Sequence, residues 1–424
     1  MRRTSAPRFT LAATSGGYDP PNRVDRTLQL GRREFLRAGF AGAAAFLAGG
    51  LLGCSGRRGS HTTAPGAPRS NIPNLGPLQP ADGNGVQLPA GFTSRIVARS
   101  GSAPVWGGAY AWHPAPDGGA CYPVSGGGWI YVSNSEVGSG GGGAGALQFD
   151  ASANVTGAYG ILSGTSRNCA GGRTPWGTWL SCEENGDGGQ VYECDPTGVA
   201  TASARSALGK FNHEAVAVDP VNHHLYLTED RTDGCLYRFL PTNLNDLSAG
   251  TLEVAGVQGS GPGGTVTWYQ VTDPSGATTA TRYQISQATA FNGGEGIAYH
   301  AGRIYFVTKG DNRVWCYDIA NTSLSVLYEA ATHPTPYLTG VDNVAMSVDG
   351  DVLVAEDGGD LEIVAITPAG TPVRICRLVG HGSSEIAGPA FSPDWSRLYF
   401  SSQRGTTGLD SGGMTFEIRG PFVV

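Results

Sequence analysis

The sequence predicts an all-β fold, a six-bladed β-propeller preceded by a disordered export signal and tether, on three observations. Glycine supplies 66 of the 424 residues while charged residues make up only 15%, a balance that suits many short strands joined by tight turns. A strand, turn, strand plan recurs at a period long enough for propeller blades rather than isolated hairpins. The first fifty residues share none of this pattern.

Residues 1–53 read as a targeting segment. Gly31-Arg32-Arg33-Glu34-Phe35-Leu36-Arg37 precedes an apolar stretch, 38–52, too short to span a membrane comfortably. The pattern resembles a twin-arginine export signal. It ends in Leu51-Leu52-Gly53-Cys54, similar to a lipoprotein processing box, so Cys54 is expected to be lipidated and to provide the chain's one membrane anchor. An ordinary cleaved signal is the alternative. Either leads to a periplasmic or cell-surface location. Residues 54–84 are rich in Gly, Pro, Ser and Arg without an apolar period and are expected to form a flexible linker.

The propeller is expected over 85–424, as six units at 109–162, 169–208, 213–257, 295–328, 342–379 and 388–420. The fourth shows the plan best, with strands at 295–300, 303–309, 313–318 and 323–328 and the turn Ala301-Gly302 between the first two. The last unit lacks an outer strand, and 92–98 near the start has no partner of its own. The chain ends are therefore expected to pair in one blade, which removes exposed sheet edges.

Without residues 1–53 the chain holds 20 basic and 32 acidic residues, a formal balance of −12, and lysine occurs only at Lys210 and Lys309. No basic stripe remains, which excludes a nucleic-acid partner and leaves a monomer acting on a small molecule. Of eight cysteines, those in Val314-Trp315-Cys316-Tyr317 and Val373-Arg374-Ile375-Cys376 sit inside apolar strand patterns and are expected to be buried free thiols. No disulfide pairing can be read from the sequence.

Antiparallel pairing puts the start of each first strand and the end of its second at one rim of the channel. The starts supply Cys169, Glu214, Glu295 and Asp342 with Asn343; the ends supply Glu136, Glu183 with Glu184, Glu229 with Asp230, Lys309, Glu356 with Asp357, and Gln403 with Arg404. So many like charges in one cavity repel, and bound cations are the simplest compensation. A thiolate suits transition metals and carboxylates suit calcium, so a site using both can hold a mixed cluster. His213 is read as a polar contact, His223 and His224 fall at the wrong end of the blade, and 138–145 reads as a flexible loop rather than a phosphate loop.

The segments Thr174-Pro175-Trp176-Gly177-Thr178-Trp179-Leu180-Ser181-Cys182-Glu183-Glu184, Leu227-Thr228-Glu229-Asp230-Arg231, Leu236-Tyr237-Arg238-Phe239-Leu240-Pro241, and Asp342-Asn343-Val344-Ala345 with Glu356-Asp357-Gly358 resemble the PhoX family of alkaline phosphatases. The resemblance implies twin-arginine export, a six-bladed propeller, and hydrolysis of phosphate monoesters at a calcium and iron cluster. It implies that Cys169 is an iron ligand and that Glu183, Glu214, Glu229, Glu295 and Glu356 are the leading metal carboxylates. Glu184, Asp230, Asp342, Asn343 and Asp357 are further candidates, as ligands or as groups that orient one. Lys309 and Arg404 are the candidate catalytic residues, placed to hydrogen-bond the phosphate. Two readings stay open beside it: a calcium-dependent lactonase, which would not need Cys169, and a non-catalytic surface lipoprotein whose cations hold the blades together.

Overall fold

The computed structural model describes residues 66–424. The export signal expected over 1–53, Cys54 and the first part of the linker lie outside the described residues.

Short alternating strands fold this chain into antiparallel sheets, as the composition requires, in an all-β, propeller-like arrangement. Pro116–Pro123, Trp129–Ser135, Gly142–Phe149 and Val155–Thr165 form the first sheet, and Asn168–Arg173, Trp179–Glu183, Val191–Cys194 and Ser203–Ala204 the second. His213–Val218, Leu225–Glu229, Gly234–Asn243 and Asp246–Gln258 follow, then Gly294–His300, Arg303–Thr308, Arg313–Asp318 and Ser323–Glu329. These two groups are joined by Gly264–Gln270, which pairs with the outer strand of each and, with Ala290–Phe291 paired to Gly234–Asn243, merges them into one ten-stranded sheet. That strand belongs to a stretch the sequence period leaves unassigned. Val341–Met346, Val352–Glu356, Glu362–Ile366 and Pro372–Leu378 carry Val86–Gln87 on their outer edge, and Ile386–Phe391, Arg397–Ser402 and Met414–Arg419 make up the last sheet.

Thr93–Arg99 completes this last sheet by pairing antiparallel with Met414–Arg419, so the two ends of the chain share one sheet, as expected. The innermost strands of successive groups pack side by side, from Pro116–Pro123 round to Ile386–Phe391, which returns to Pro116–Pro123. Aromatic side chains at alternate strand positions fill the spaces between sheets. Trp129 stacks on Phe149, and both meet Tyr399 of the last sheet.

Residues 69–75 fall inside the stretch expected to be flexible, but the structure packs them against the sheets. Ile72 is fully buried, and Arg69 pairs with Asp349. One apolar anchor in a polar segment is enough to dock it, and a compositional reading averages that anchor away. The glycine run at 138–145 also differs from its expectation, because Gly142–Phe149 is a strand. A Cβ at Gly143 would lie 2.3 Å from the Leu162 carbonyl oxygen, so here glycine permits close strand approach rather than mobility. The seven described cysteines are free thiols; all are buried except Cys316, which is half-buried.

Each innermost strand is bulged near its start. The pairing register breaks between Pro116 and Gly119, Asn168 and Gly171, His213 and Val216, Gly294 and Ile297, Val341 and Val344, and Ala387 and Ala390. A bulge bends the strand and re-aims the extra side chain. The six strands converge so closely that a Cβ at Gly118 would fall 2.5 Å from the Ala170 Cα, and one at Gly296 2.5 Å from the Val344 nitrogen. The remaining cavity among Gly118, Ala170, Ala215, Gly296, Asn343 and Gly388 is about 30 Å³, room for a single water, so the channel is effectively plugged there.

Removing residues 66–99 should leave Met414–Arg419 as an open edge. The shortened protein is expected to elute as aggregate in size-exclusion chromatography, whereas a monomer of full thermal stability would contradict the closing role of Thr93–Arg99.

Candidate metal centre

The six bulges contribute Asp117, Cys169, Glu214, Glu295, Asp342 and, in the last sheet, Gly388. A second ring comes from the residue just past the end of each second strand: Glu136, Glu184, Asp230, Lys309, Asp357 and Gln403. Glu385, immediately before the last inner strand, supplies the acid that Gly388 lacks.

These side chains meet in four groups. Asp117, Glu136 and Cys169 form one; Cys169, Glu184 and Glu214 the next; then Glu214, Glu295 and Asp342; then Asp342, Asp357 and Glu385. Within each group the candidate ligand atoms all lie within 4.8 Å of one another. Cys169, Glu214 and Asp342 each belong to two groups, so eight carboxylates and one thiol make a continuous arc rather than separate sites.

The surrounding contacts fix these groups in place. Asn134 donates to the carbonyl oxygens of both Cys169 and Ala170, at 2.9 and 2.7 Å, and pins the bulge that carries the thiol. Gln403 donates to Asp117 and Glu136, at 2.6 and 2.7 Å. Lys309 Nζ lies 3.0 Å from Glu295 and 3.3 Å from Asp357, and Arg404 lies 3.2 Å from Glu385. The Cys169 thiol donates to Glu214 Oε1 at 3.3 Å, and Glu214 Oε2 is buried with no hydrogen-bond partner.

Burial pushes the carboxyls of Asp117, Glu214, Glu295 and Glu385 well above their ordinary range, and charge from neighbouring carboxylates adds to it. Glu184 is pushed up to about 7 and Asp342 to about 6, again first by burial. The Cys169 thiol is raised by burial and then by Asp117 and Glu214. Glu136 is raised by burial, opposed by its bond from Gln403 and by the charges of Arg404, Arg167 and Lys309. Two ion-paired cations cannot neutralise eight carboxylates, five buried and three half-buried, and Glu214 keeps an unpartnered acceptor. The donor set, hard oxygens around one soft sulfur, therefore fits polyvalent cations.

Of the residues expected at the site, Cys169, Glu184, Glu214, Glu295, Asp342 and Asp357 are brought together, with Lys309 and Arg404 beside them. Glu183, Glu229 and Glu356 are not. Glu183 accepts from the backbone N–H of Ser166 and Gln190, Glu356 from Thr339 and Glu362, and Glu229 from Cys235, the Tyr237 hydroxyl and Arg282. Each is the last residue of a second strand, and side-chain alternation turns it away from the channel while the next residue faces in. The paired acids thus divide their work: the first ties together the loops on either side, and the second enters the cluster or its rim.

Asp230 stands at that rim, beside Gly293, and its charge raises Glu184 and Glu295. Asn343 is a positioning group that donates to Asp342 at 2.7 Å and accepts from the Gly388 N–H at 2.8 Å. His213 makes a polar contact of 3.1 Å with the Gly209 carbonyl oxygen, with its Nδ1 unpartnered. Asp117 and Glu385 lie outside the expected set. Pro116-Asp117-Gly118 reads locally as a turn, and Glu385 precedes the unit that the period starts at 388. The signal that would have found Asp117 is an acid or cysteine followed by a small residue, repeated at Cys169-Ala170, Glu214-Ala215 and Glu295-Gly296.

The model of the family described as alkaline phosphatase PhoX matches residues 131–335, a segment that includes Glu136, Cys169, Glu184, Glu214, Asp230, Glu295 and Lys309. The match bears out the family resemblance and a phosphatase-type enzyme. Among solved structures, a Pseudomonas fluorescens PhoX in complex with vanadate, a transition state analogue, is 17% identical, with 82% of this chain and 97% of that chain covered and a TM-score of 0.65. The two share a fold. A putative 6-phosphogluconolactonase from Bacteroides uniformis is 14% identical over 71% of this chain and 84% of that one, at a TM-score of 0.40 that carries no argument. No curated protein matches the chain.

Two outcomes follow from this division of labour. Glu356→Ala strips the acceptor from two backbone N–H groups and should cost about 3 kcal/mol in denaturant unfolding while leaving metal content unchanged. Glu214→Gln should do the opposite, lowering bound metal in elemental analysis while raising the melting temperature of the chelated protein.

A carboxyl whose folded value is raised binds its proton more tightly in the folded chain than in the unfolded one. For Glu184 and Asp342, chelated protein should therefore gain stability as pH falls through about 7 and about 6 toward their ordinary values of 4.5 and 3.8. Calcium-supplemented protein should lose stability over the same range as protons displace cations, and differential scanning calorimetry at several pH values checks both slopes.

Proposed function

We propose that this chain, which matches the PhoX alkaline phosphatase model over residues 131–335, is an exported metal-dependent phosphatase that hydrolyses phosphate monoesters at a calcium and iron cluster in the channel of a six-bladed propeller. The observation that carries the reading is the shared position of Cys169, a soft ligand lying in two of four linked carboxylate groups. A lactonase using calcium alone has no need of that sulfur, and neither has a propeller whose cations only brace its blades. The six-blade count is supported by the closed succession of inner strands, each with its own bulge. Export and a lipid anchor are supported by the sequence patterns at 31–37 and 51–54.

The chain's own residues divide the chemistry. The arc of Asp117, Glu136, Cys169, Glu184, Glu214, Glu295, Asp342, Asp357 and Glu385 would hold the cations. Bound there, they supply concentrated positive charge where a phosphoryl group develops negative charge in its transition state. Lys309 is kept protonated by Asp342, Glu295 and Asp357, which outweigh the effect of its burial, and it stands ready to donate to a phosphoryl oxygen. Arg404, held by Glu385, presents its remaining donors from the other side. The plugged channel below limits approach to the loop-bearing face. Vanadate, bound by the Pseudomonas fluorescens protein of the same fold, mimics such a phosphoryl group and is the natural inhibitor to try.

Hydrolysis of a chromogenic phosphate monoester is expected, and its loss with chelator, while a lactone should be untouched. Elemental analysis should find iron together with calcium; calcium alone, or lactone turnover, would move the assignment to the lactonase. Cys169→Ser should abolish iron occupancy and leave the circular dichroism spectrum unchanged, and full iron retention in that variant would refute the role given to the thiol.

A further inference from the structure

The geometry points to Arg167 as the residue that grips the substrate's phosphoryl group from the solvent side of the acidic arc, an inference that rests on the phosphatase reading above. Arg167 lies between Val155–Thr165 and Asn168–Arg173, two residues before Cys169. Its N–H donates to the Val137 carbonyl oxygen at 2.9 Å, and its own carbonyl oxygen accepts from the Glu184 N–H at 2.8 Å. The backbone is thereby clamped between the neighbour of one arc residue, Glu136, and a second arc residue, Glu184. The clamp holds Arg167 at a φ of 51°, in the left-handed region that a side-chain-bearing residue occupies only when its surroundings impose it.

The side chain makes no matching commitment. Arg167 is exposed, and its Nε passes over Gly138, where a Cβ would lie 3.7 Å away. Among the described residues it forms no ion pair, although the rim is rich in acids, whereas Lys309 and Arg404 are both tied to carboxylates. Its charge is nonetheless close enough to Glu136 to pull that carboxyl down against burial.

A surface arginine free of partners is ordinary; one whose backbone is strained and bolted to the two sides of a ligand arc, with its fork left open, is not. The guanidinium plane offers two parallel N–H donors that match two oxygens of a phosphoryl group, and a dianion drawn to a cation-loaded arc would meet it first. The run 138–145 forms no phosphate loop of its own, but its first residue, Gly138, lies beneath the Arg167 side chain.

Full-length wild type, Arg167→Ala and Arg167→Lys, each supplemented with calcium and iron, test this through inorganic phosphate binding by calorimetry, steady-state kinetics on a chromogenic monoester, and elemental analysis. Arg167→Ala should raise both the phosphate Kd and KM roughly tenfold, as expected for loss of charged hydrogen bonds, with kcat and metal content within about twofold of wild type. Arg167→Lys should recover part of the loss, since it restores charge without the fork. Unchanged phosphate Kd and KM in Arg167→Ala would overturn the assignment, as would loss of metals in that variant or a wild type that binds no phosphate. If wild type binds phosphate in an Arg167-dependent way but turns over no monoester, the arginine's role stands and the phosphatase reading fails.

Discussion

Mutual repulsion among buried carboxylates is the constraint on which the rest of this structure turns. Eight carboxylates, five buried and three half-buried, share the throat of the channel with one thiol, and among the described residues only Lys309 and Arg404 form ion pairs with them there. No arrangement of protein groups alone makes that favourable, because charges taken out of water must be matched nearly one for one. The fold holds them together regardless, through covalent connection to six converging strands. The arrangement therefore suits the uptake of cations, as proposed above, with the surrounding sheets supplying the stability that holds the ligand groups in place.

The means of convergence is a repeated local defect. At five of the six inner strands the bulge near the start carries a side chain of the arc, and at four of these the next residue is Gly or Ala, so that backbones can approach to within van der Waals contact. The same bulge thus builds both the ligand arc and the plug beneath it. Its carbonyl groups, freed from the ladder, are satisfied from neighbouring four-stranded groups, as when Asn134 donates to those of Cys169 and Ala170 and Thr228 donates to that of Glu295. These bonds run between successive four-stranded groups, so the site and the packing of those groups stabilise each other.

The second device is the paired acid. In Glu183-Glu184, Glu229-Asp230 and Glu356-Asp357 two adjacent carboxylates point to opposite sides of one strand end. The outward one accepts from backbone N–H groups of flanking loops and fixes the turn, and the turn then fixes the inward one. Lys309 and Gln403 occupy the same inward position after Arg303–Thr308 and Arg397–Ser402, where they break the run of negative charge and place donors beside the arc. Variation at this single position sets the balance of charge around the channel.

The sequence by itself determined the strand periodicity, the pairing of chain ends in the last sheet, and the strand ends that carry chemistry, because each is a local pattern of alternation and turn residues. It also made the thiol at Cys169 stand out, through its run with Glu183 and Glu184. Tertiary structure decided which acid of each pair enters the arc, since alternation leaves the facing open until a strand's end is fixed to within one residue. Asp117 and Glu385 were hidden for the same reason: one reads as a turn and the other as a linker until the ring closes. The joining strand Gly264–Gln270 and the docking of Ile72 likewise depend on partners distant in the chain, which no local pattern encodes.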